Sequence, residues 1–159
     1  MDKLSHFDEH GKIKMVDVSE KIVSARVAIA SAKVLLSKET LEILQNQTNP
    51  KGNPLEIARI AGIMAAKKTA HLIPLCHQIN LSKANVSAEI TDYGVYLEAE
   101  VKTNSQTGVE MEALTAVSVA ALTVYDMCKA AQKDIQITDI QLELKTGGKS
   151  DFVKNHEKM

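Results

Sequence analysis

An α+β sandwich in the order β-α-β-β-α-β is the fold class that this chain's residue pattern predicts, and three observations predict it. Residues 79–91 (INLSKANVSAEIT) and 95–103 (VYLEAEVKT) alternate in polarity around the turn Asp92-Tyr93-Gly94, which reads as a hairpin. A helical region precedes that hairpin and another follows it. One further strand-like segment stands at each end of this series. The arrangement is ferredoxin-like, a single antiparallel sheet with helices on one face.

Each element has its own warrant. From Ile22 to Leu36 (IVSARVAIASAKVLL), Val23, Ala25, Val27 and Ile29 share one period-2 face, so the segment reads as a long strand. Ser37 is placed to cap a short helix from Lys38 to Gln45. After the loop NQTNPKGN, Asn53, Pro54 and Glu56 supply an N-cap, an N1 proline and a capping-box acceptor for a helix reaching about Thr69. Thr107 and Glu110 suggest a second capping box, opening a helix from about Gly108 to Lys133, and Ile135 to Leu144 closes as a strand. Residues 1–14 and 150–159 are polar and aperiodic, and are expected to be mobile tails on a single domain spanning 1–159.

Composition narrows the function classes. The 159 residues are 45% hydrophobic and 25% charged, which suits a globular domain and excludes collagen-like or disordered classes. Nineteen basic residues face twenty acidic ones, so no global field draws the chain to nucleic acid or an acidic membrane, and any polyanion site must be local. Two cysteines are too few for a disulfide framework, and the first 20 residues lack an apolar secretion core. The apolar stretch from Ala116 to Tyr125 is too short for a bilayer. A cytoplasmic location, with neither membrane nor nucleic-acid partner, is therefore expected.

The long helix bears on assembly. Leu114, Val117, Ala121, Val124 and Cys128 form the stripe expected to face the sheet, yet Ala113, Ala116, Val119, Ala120 and Leu122 make much of the remaining surface apolar too. Such a helix needs burial on a second side, by another subunit or by the first helical region. A homo-oligomer is the expectation.

Several side chains are candidates for chemistry, each with a plainer reading beside it. His77, in the connection His71-Leu-Ile-Pro-Leu-Cys76-His77, suits proton transfer near neutral pH, or equally an ordinary structural histidine. Cys76, His77 and His71 lack the spacing of a zinc site. Asp126 and Lys129, three apart on one helix, read either as a tuned acid–base pair or as a solvated ion pair, while Cys128 reads as core. Glu110 suits the helix dipole, whereas Glu112 is less explained. Fourteen residues separate Glu112 from Asp126, about 21 Å along the axis at 1.5 Å per residue, so one small-molecule site using both must be shared between subunits. Lys51 precedes a helix N-terminus, a place that favours anions. Gly147-Gly-Lys149-Ser150 resembles the end of a phosphate-binding loop, but Glu143 stands where that loop needs glycine, so the loop is rejected; a glycine hinge delivering Lys149 to an anion and a frayed terminus both stay open.

Longer motifs carry a family resemblance. Met15-Val-Asp-Val-Ser19, Ala58-Arg-Ile-Ala-Gly-Ile63, Leu72-Ile-Pro-Leu-Cys-His77, Thr107-Gly-Val-Glu-Met-Glu-Ala-Leu-Thr115, Tyr125-Asp-Met-Cys-Lys-Ala130 and Gly147-Gly-Lys-Ser150 closely resemble the cyclic pyranopterin monophosphate synthase family, molybdenum cofactor biosynthesis protein C, over residues 6–150. The resemblance implies a hexamer, a trimer of dimers with active sites at the dimer interface. It also implies conversion of the 3',8-cyclo-dihydro-GTP intermediate into cyclic pyranopterin monophosphate with release of pyrophosphate, a phosphorus–oxygen lyase reaction. By motif match the catalytic residues fall on Asp126, Lys129, His77 and Glu112. Substrate contacts fall on Leu75, Cys76, His77, Met111 and Glu112, further site residues on Lys51, Glu110 and Lys149, and a weaker match on Arg26. Gln78 and Asp151 depart from the family pattern and put the geometry of the final loop in question. No organic cofactor or protein metal site is implied, with Mg2+ expected only alongside the substrate phosphates. The competing reading is a nucleotide-sensing oligomer without catalysis; an RNA-binding sheet is disfavoured because the few aromatics form no stacking string.

Overall fold

The computed structural model of the chain describes residues 4–46 and 52–155. Its elements run β1 (Ser24–Leu35), α1 (Lys38–Gln45), α2 (Pro54–Lys67), α3 (Thr69–Leu72), β2 (Lys83–Thr91), β3 (Gly94–Ser105), α4 (Glu110–Cys128), β4 (Gln136–Thr146) and β5 (Phe152–Val153). The sheet order is β2-β3-β1-β4-β5 with every pairing antiparallel, the ferredoxin-like arrangement extended by one short edge strand. The helices pack on the sheet, and α4 and α2 pack side by side on it.

Small side chains set the spacing between the layers. Ala28, Ala30, Ala32 and Val34 of β1 stand opposite Val101, Ala99, Leu97 and Val95 of β3, and all eight are fully buried. The other parity of β1, which carries Ala25, Val27 and Ile29, is the less buried one: Ala25 is exposed, Val27 and Ile29 are half-buried, and Val23, expected on the same face, is exposed just before the strand. Alanines on the helix-facing side let helix backbones approach the sheet closely. On α4 the buried residues include Ala113, Ala116, Val117, Ala120, Ala121, Val124, Met127 and Cys128, with Leu114 only half-buried.

The second apolar side of α4 is covered within the chain. Gly62 of α2 lies so close to it that a Cβ there would stand 2.9 Å from the Ala116 carbonyl oxygen and 3.3 Å from the Ala120 Cβ. At Ala116 and Ala120, the burial that a second subunit could have supplied thus comes from α2. Among the large apolar side chains of these two helices, Met111 and Leu122 on α4 and the stripe Ile57, Ile60 and Met64 on α2 stay exposed. Although α4 has the length and apolarity of a membrane span, it is a core helix of this domain.

The cap at Asn53 forms as expected, its side chain accepting from the Leu55 and Glu56 amides, but Glu56 turns to Arg59 at 2.7 Å instead of reaching back. The capping box at Thr107 and Glu110 does not form. Val109 is the N-cap of α4, whose aliphatic side chain offers no acceptor, and Glu110 is drawn into an ion pair with Lys145 at 3.1 Å. The helix also ends five residues earlier than expected, at Cys128.

The two ends are more organised than their composition implies. Asp8 accepts from the His10 and Lys12 amides, closing a turn bridged between Phe7 and Ile13. At the other end, Gly147 adopts φ +89° where a Cβ would lie 2.0 Å from the Ala25 carbonyl oxygen, Ser24 donates to the Gly147 carbonyl at 2.7 Å, and β5 pairs with β4.

Candidate active site

The N-terminal end of α4, the 75–79 connection, the start of β1 and the end of β4 enclose a cavity of about 410 Å³. That volume lies within the range of small-molecule sites. The start of β1 and the end of β4 lie at the same end of these antiparallel strands, so residues far apart in sequence converge there. Of the residues singled out in the sequence, Arg26, Leu75, Cys76, His77, Glu110, Met111, Glu112 and Lys149 all line it.

Asp126 and Lys129 do not line it. They sit at the far end of α4, where Lys129 Nζ meets Asp126 Oδ1 at 2.7 Å with both side chains more than half exposed. The carboxylate holds the ammonium's pKa above its ordinary value. Within one chain this is a solvated ion pair, not a pair set among apolar groups; the residues between them, Met127 and Cys128, take the buried side. His71 lies on α3 and is likewise absent from the cavity wall, and Lys51 falls outside the described residues.

Glu112 is the most perturbed group in the cavity. It is 4% exposed, and burial, reinforced by the neighbouring Glu110 charge, pushes its carboxyl up to about 7. A buried carboxyl with a pKa near neutrality can give or take a proton at little cost, which is what general acid–base work requires. Cys76 lies close enough that burial, with Glu112 adding to it, raises its thiol pKa, so the thiol is a neutral contact and not a nucleophile.

Cations face these carboxyls. Lys21, Arg26, Lys145 and Lys149 all line the cavity, beside Glu110 and Glu112. Arg26 is aimed by its Nε donating to the Ser105 carbonyl at 3.0 Å. Lys149 rides on the turn after β4, whose shape is fixed by Gly147 and by Asp151, which accepts from the Gly147 amide at 3.2 Å. Asp151 thus gives the final loop a defined geometry, while Gln78 is exposed and outside the cavity wall. Such a set of nearby cations suits a phosphorylated ligand. Lys21, Lys145 and Gln106 were not singled out in the sequence. Lys145 lies one residue past the strand read to Leu144, inside β4 as it forms, and Lys21 and Gln106 lie in polar connections.

His77 has a specific partner. Its Nε2 lies 2.7 Å from the Val16 carbonyl oxygen, and because a carbonyl only accepts, Nε2 must carry the proton. The segment it touches, together with Ser5 and His6, forms part of the cavity wall through Val16 and Val18.

The MoaC family model matches residues 15–148, which takes in every lining residue named here except Ser5, His6 and Lys149. The chain is 57% identical to a cyclic pyranopterin monophosphate synthase of Cereibacter sphaeroides over 152 residues, 94% of this chain and 96% of that protein. It is 54% identical to one from Chloroflexus aggregans, covering 94% and 92%. It is also 51% identical to a molybdenum cofactor biosynthesis bifunctional protein of Chlorobaculum tepidum, covering 97% of this chain and 49% of that one. With an antiparallel sandwich of the expected topology, a cation-lined cavity and these matches along its length, the chain belongs to the MoaC family.

Proposed function

We propose that the protein is a synthase of molybdenum cofactor biosynthesis that converts (8S)-3',8-cyclo-7,8-dihydroguanosine 5'-triphosphate into cyclic pyranopterin monophosphate and pyrophosphate. The observation that carries this reading is the pairing, in one cavity, of four cationic side chains with a buried carboxyl whose pKa is raised to about 7. The cations suit a triphosphate and the pyrophosphate it releases. Opening the imidazole ring and rebuilding a pyranopterin need proton transfers, and Glu112, with its pKa raised to about 7, can give or take a proton near neutral pH. Closing the cyclic phosphate by attack of a ribose-derived hydroxyl on the α-phosphorus expels pyrophosphate, which makes the enzyme a phosphorus–oxygen lyase.

No change in oxidation state is needed, so the reaction calls for no organic cofactor. Glu110 is engaged by Lys145 and Glu112 is buried with its pKa raised to about 7, so the reading assigns them no metal, and any Mg2+ enters as part of the substrate. Asp126 and Lys129 join the reaction from a neighbouring chain, because about 21 Å of helix keeps them from the cavity of their own. That reading favours a homo-oligomer, a hexamer built as a trimer of dimers, working in the cytoplasm. Exposed apolar side chains at Ile57, Ile60, Met64 and Leu122 are consistent with such contacts.

Incubating the protein with the cyclised triphosphate and measuring pyrophosphate tests the reading. Stoichiometric pyrophosphate and cyclic pyranopterin monophosphate are expected. Tight binding with no pyrophosphate would make the protein a nucleotide sensor instead.

A further inference from the structure

We propose that His77 and Gln106 are positioning residues that hold the segment Val16–Ser19 in place as one wall of the cavity, with His77 serving through its hydrogen bond and not as a proton carrier. The wall has its own internal order. Asp17 accepts from both the amide and the hydroxyl of Ser19, which keeps its carboxyl below the usual carboxylate range, and the Lys21 amide donates to the Val18 carbonyl. A preformed turn of this kind needs few anchors to the rest of the domain, and two side chains provide them. His77 donates to the Val16 carbonyl at 2.7 Å, and Gln106 donates to the Ser19 carbonyl at 3.3 Å.

Both anchors are side chain to backbone, so they fix the segment whatever its side chains are. Their effect falls on the inward-facing groups: Val16, Val18 and Lys21 line the cavity, two apolar faces and one cation. With Nε2 committed to Val16, a proton relay through His77 would have to break the anchor on every turnover or use Nδ1 alone. Glu112, buried and with its pKa near 7, meets the acid–base need without that conflict.

This inference rests on the proposed function for its kinetic arm only. Hydrogen exchange of the hydrogen-bonded Ser19 and Lys21 amides, measured without substrate, tests the anchoring directly. In His77→Ala and Gln106→Ala these amides are expected to exchange about three- to tenfold faster, the effect of losing one hydrogen bond. Unchanged exchange in both variants would overturn the proposal. His77→Ala is also expected to raise KM; His77→Gln can still donate an amide N–H but cannot carry a proton, and is expected to restore the slow exchange and to recover most of that KM increase. A glutamine variant with restored exchange but a kcat as low as the alanine variant's would show His77 to be a proton carrier, and would overturn the assignment. Because exchange needs no substrate, a wild-type protein that failed to turn over would reveal itself separately.

Discussion

At the scale of single residues, Glu112 is the group whose protonation should be felt most. Unfolded, it ionises near 4.5; folded, near 7. Below 4.5 both states hold the proton and the residue is neutral for stability. Between those values the folded state keeps a proton that the unfolded state has released, so stability falls as pH rises, and above 7 the whole cost stands, at most about 3 kcal/mol at 1.36 kcal/mol per unit. Glu112→Gln should therefore melt higher than the wild type at pH 8, by about 2–4 °C for each kcal/mol recovered, and the gain should vanish near pH 4. Equal melting temperatures at pH 8 would show that the carboxyl is not desolvated in solution. In kinetics, kcat/KM of the wild type should decline above about pH 7, as the acid form is lost, and the surviving activity of Glu112→Gln should lack that step. Spacing alone marked Glu112 only as a first-turn acid that dipole effects did not account for, and it was the family resemblance that marked it as a catalytic and substrate-contact position. Its burial comes from the cavity walls contributed by the 75–79 connection and β1, which no local pattern encodes. Glu110 was misread for a related reason: a local cap was expected, and a partner 35 positions away, Lys145, took the carboxylate instead.

At the scale of elements, the β-α-β-β-α-β order and most local signals are present, whereas the capping box at Thr107 and Glu110 and the details set by packing are not. The hairpin of β2 and β3, the Asn53 cap and the α1 boundaries follow from alternation and cap chemistry, and all are present. The break between α2 and α3 at Lys68 and the irregular register between β1 and β4 were not legible, since both depend on what the segment packs against. The same limit applied to α4. Its sequence showed an apolar circumference but not that Gly62 would let α2 cover the second side. That contact makes a prediction contrary to helix propensity. Gly62→Ala gains about 1 kcal/mol of intrinsic helix preference, yet its Cβ would press on the Ala116 carbonyl and stand 3.0 Å from Val86. Overpacking of this kind costs ~1–3 kcal/mol, so urea unfolding should place the variant's midpoint below that of the wild type. A midpoint at or above the wild type's would mean that α2 and α4 can separate without loss.

At the scale of the whole molecule, the distribution of charge along α4 sets the question of assembly. One end presents Glu110 and Glu112 to a cavity that also holds Lys149, while Asp126 and Lys129 stand at the other end, more than half exposed and ion-paired with each other. If both ends serve one reaction, each site is completed by a second chain, and sedimentation equilibrium should give a mass well above the 17.3 kDa of one chain at micromolar concentration. The stricter test is rescue between defective chains. Asp126→Asn removes a carboxylate while keeping its shape, and Lys149→Ala removes a cation from the cavity at the opposite end of the helix. Each variant alone should be inactive. Unfolded together and reassembled at random, half of the dimers would be mixed, each with one intact site and one doubly damaged, so roughly a quarter of wild-type activity should return by that count. Mixed dimers verified by native mass spectrometry but still inactive would mean that Asp126 and Lys149 act from the same chain. The 21 Å of helix between the two ends would then have to be bridged by a conformational change within the chain, and the shared-site reading would be wrong.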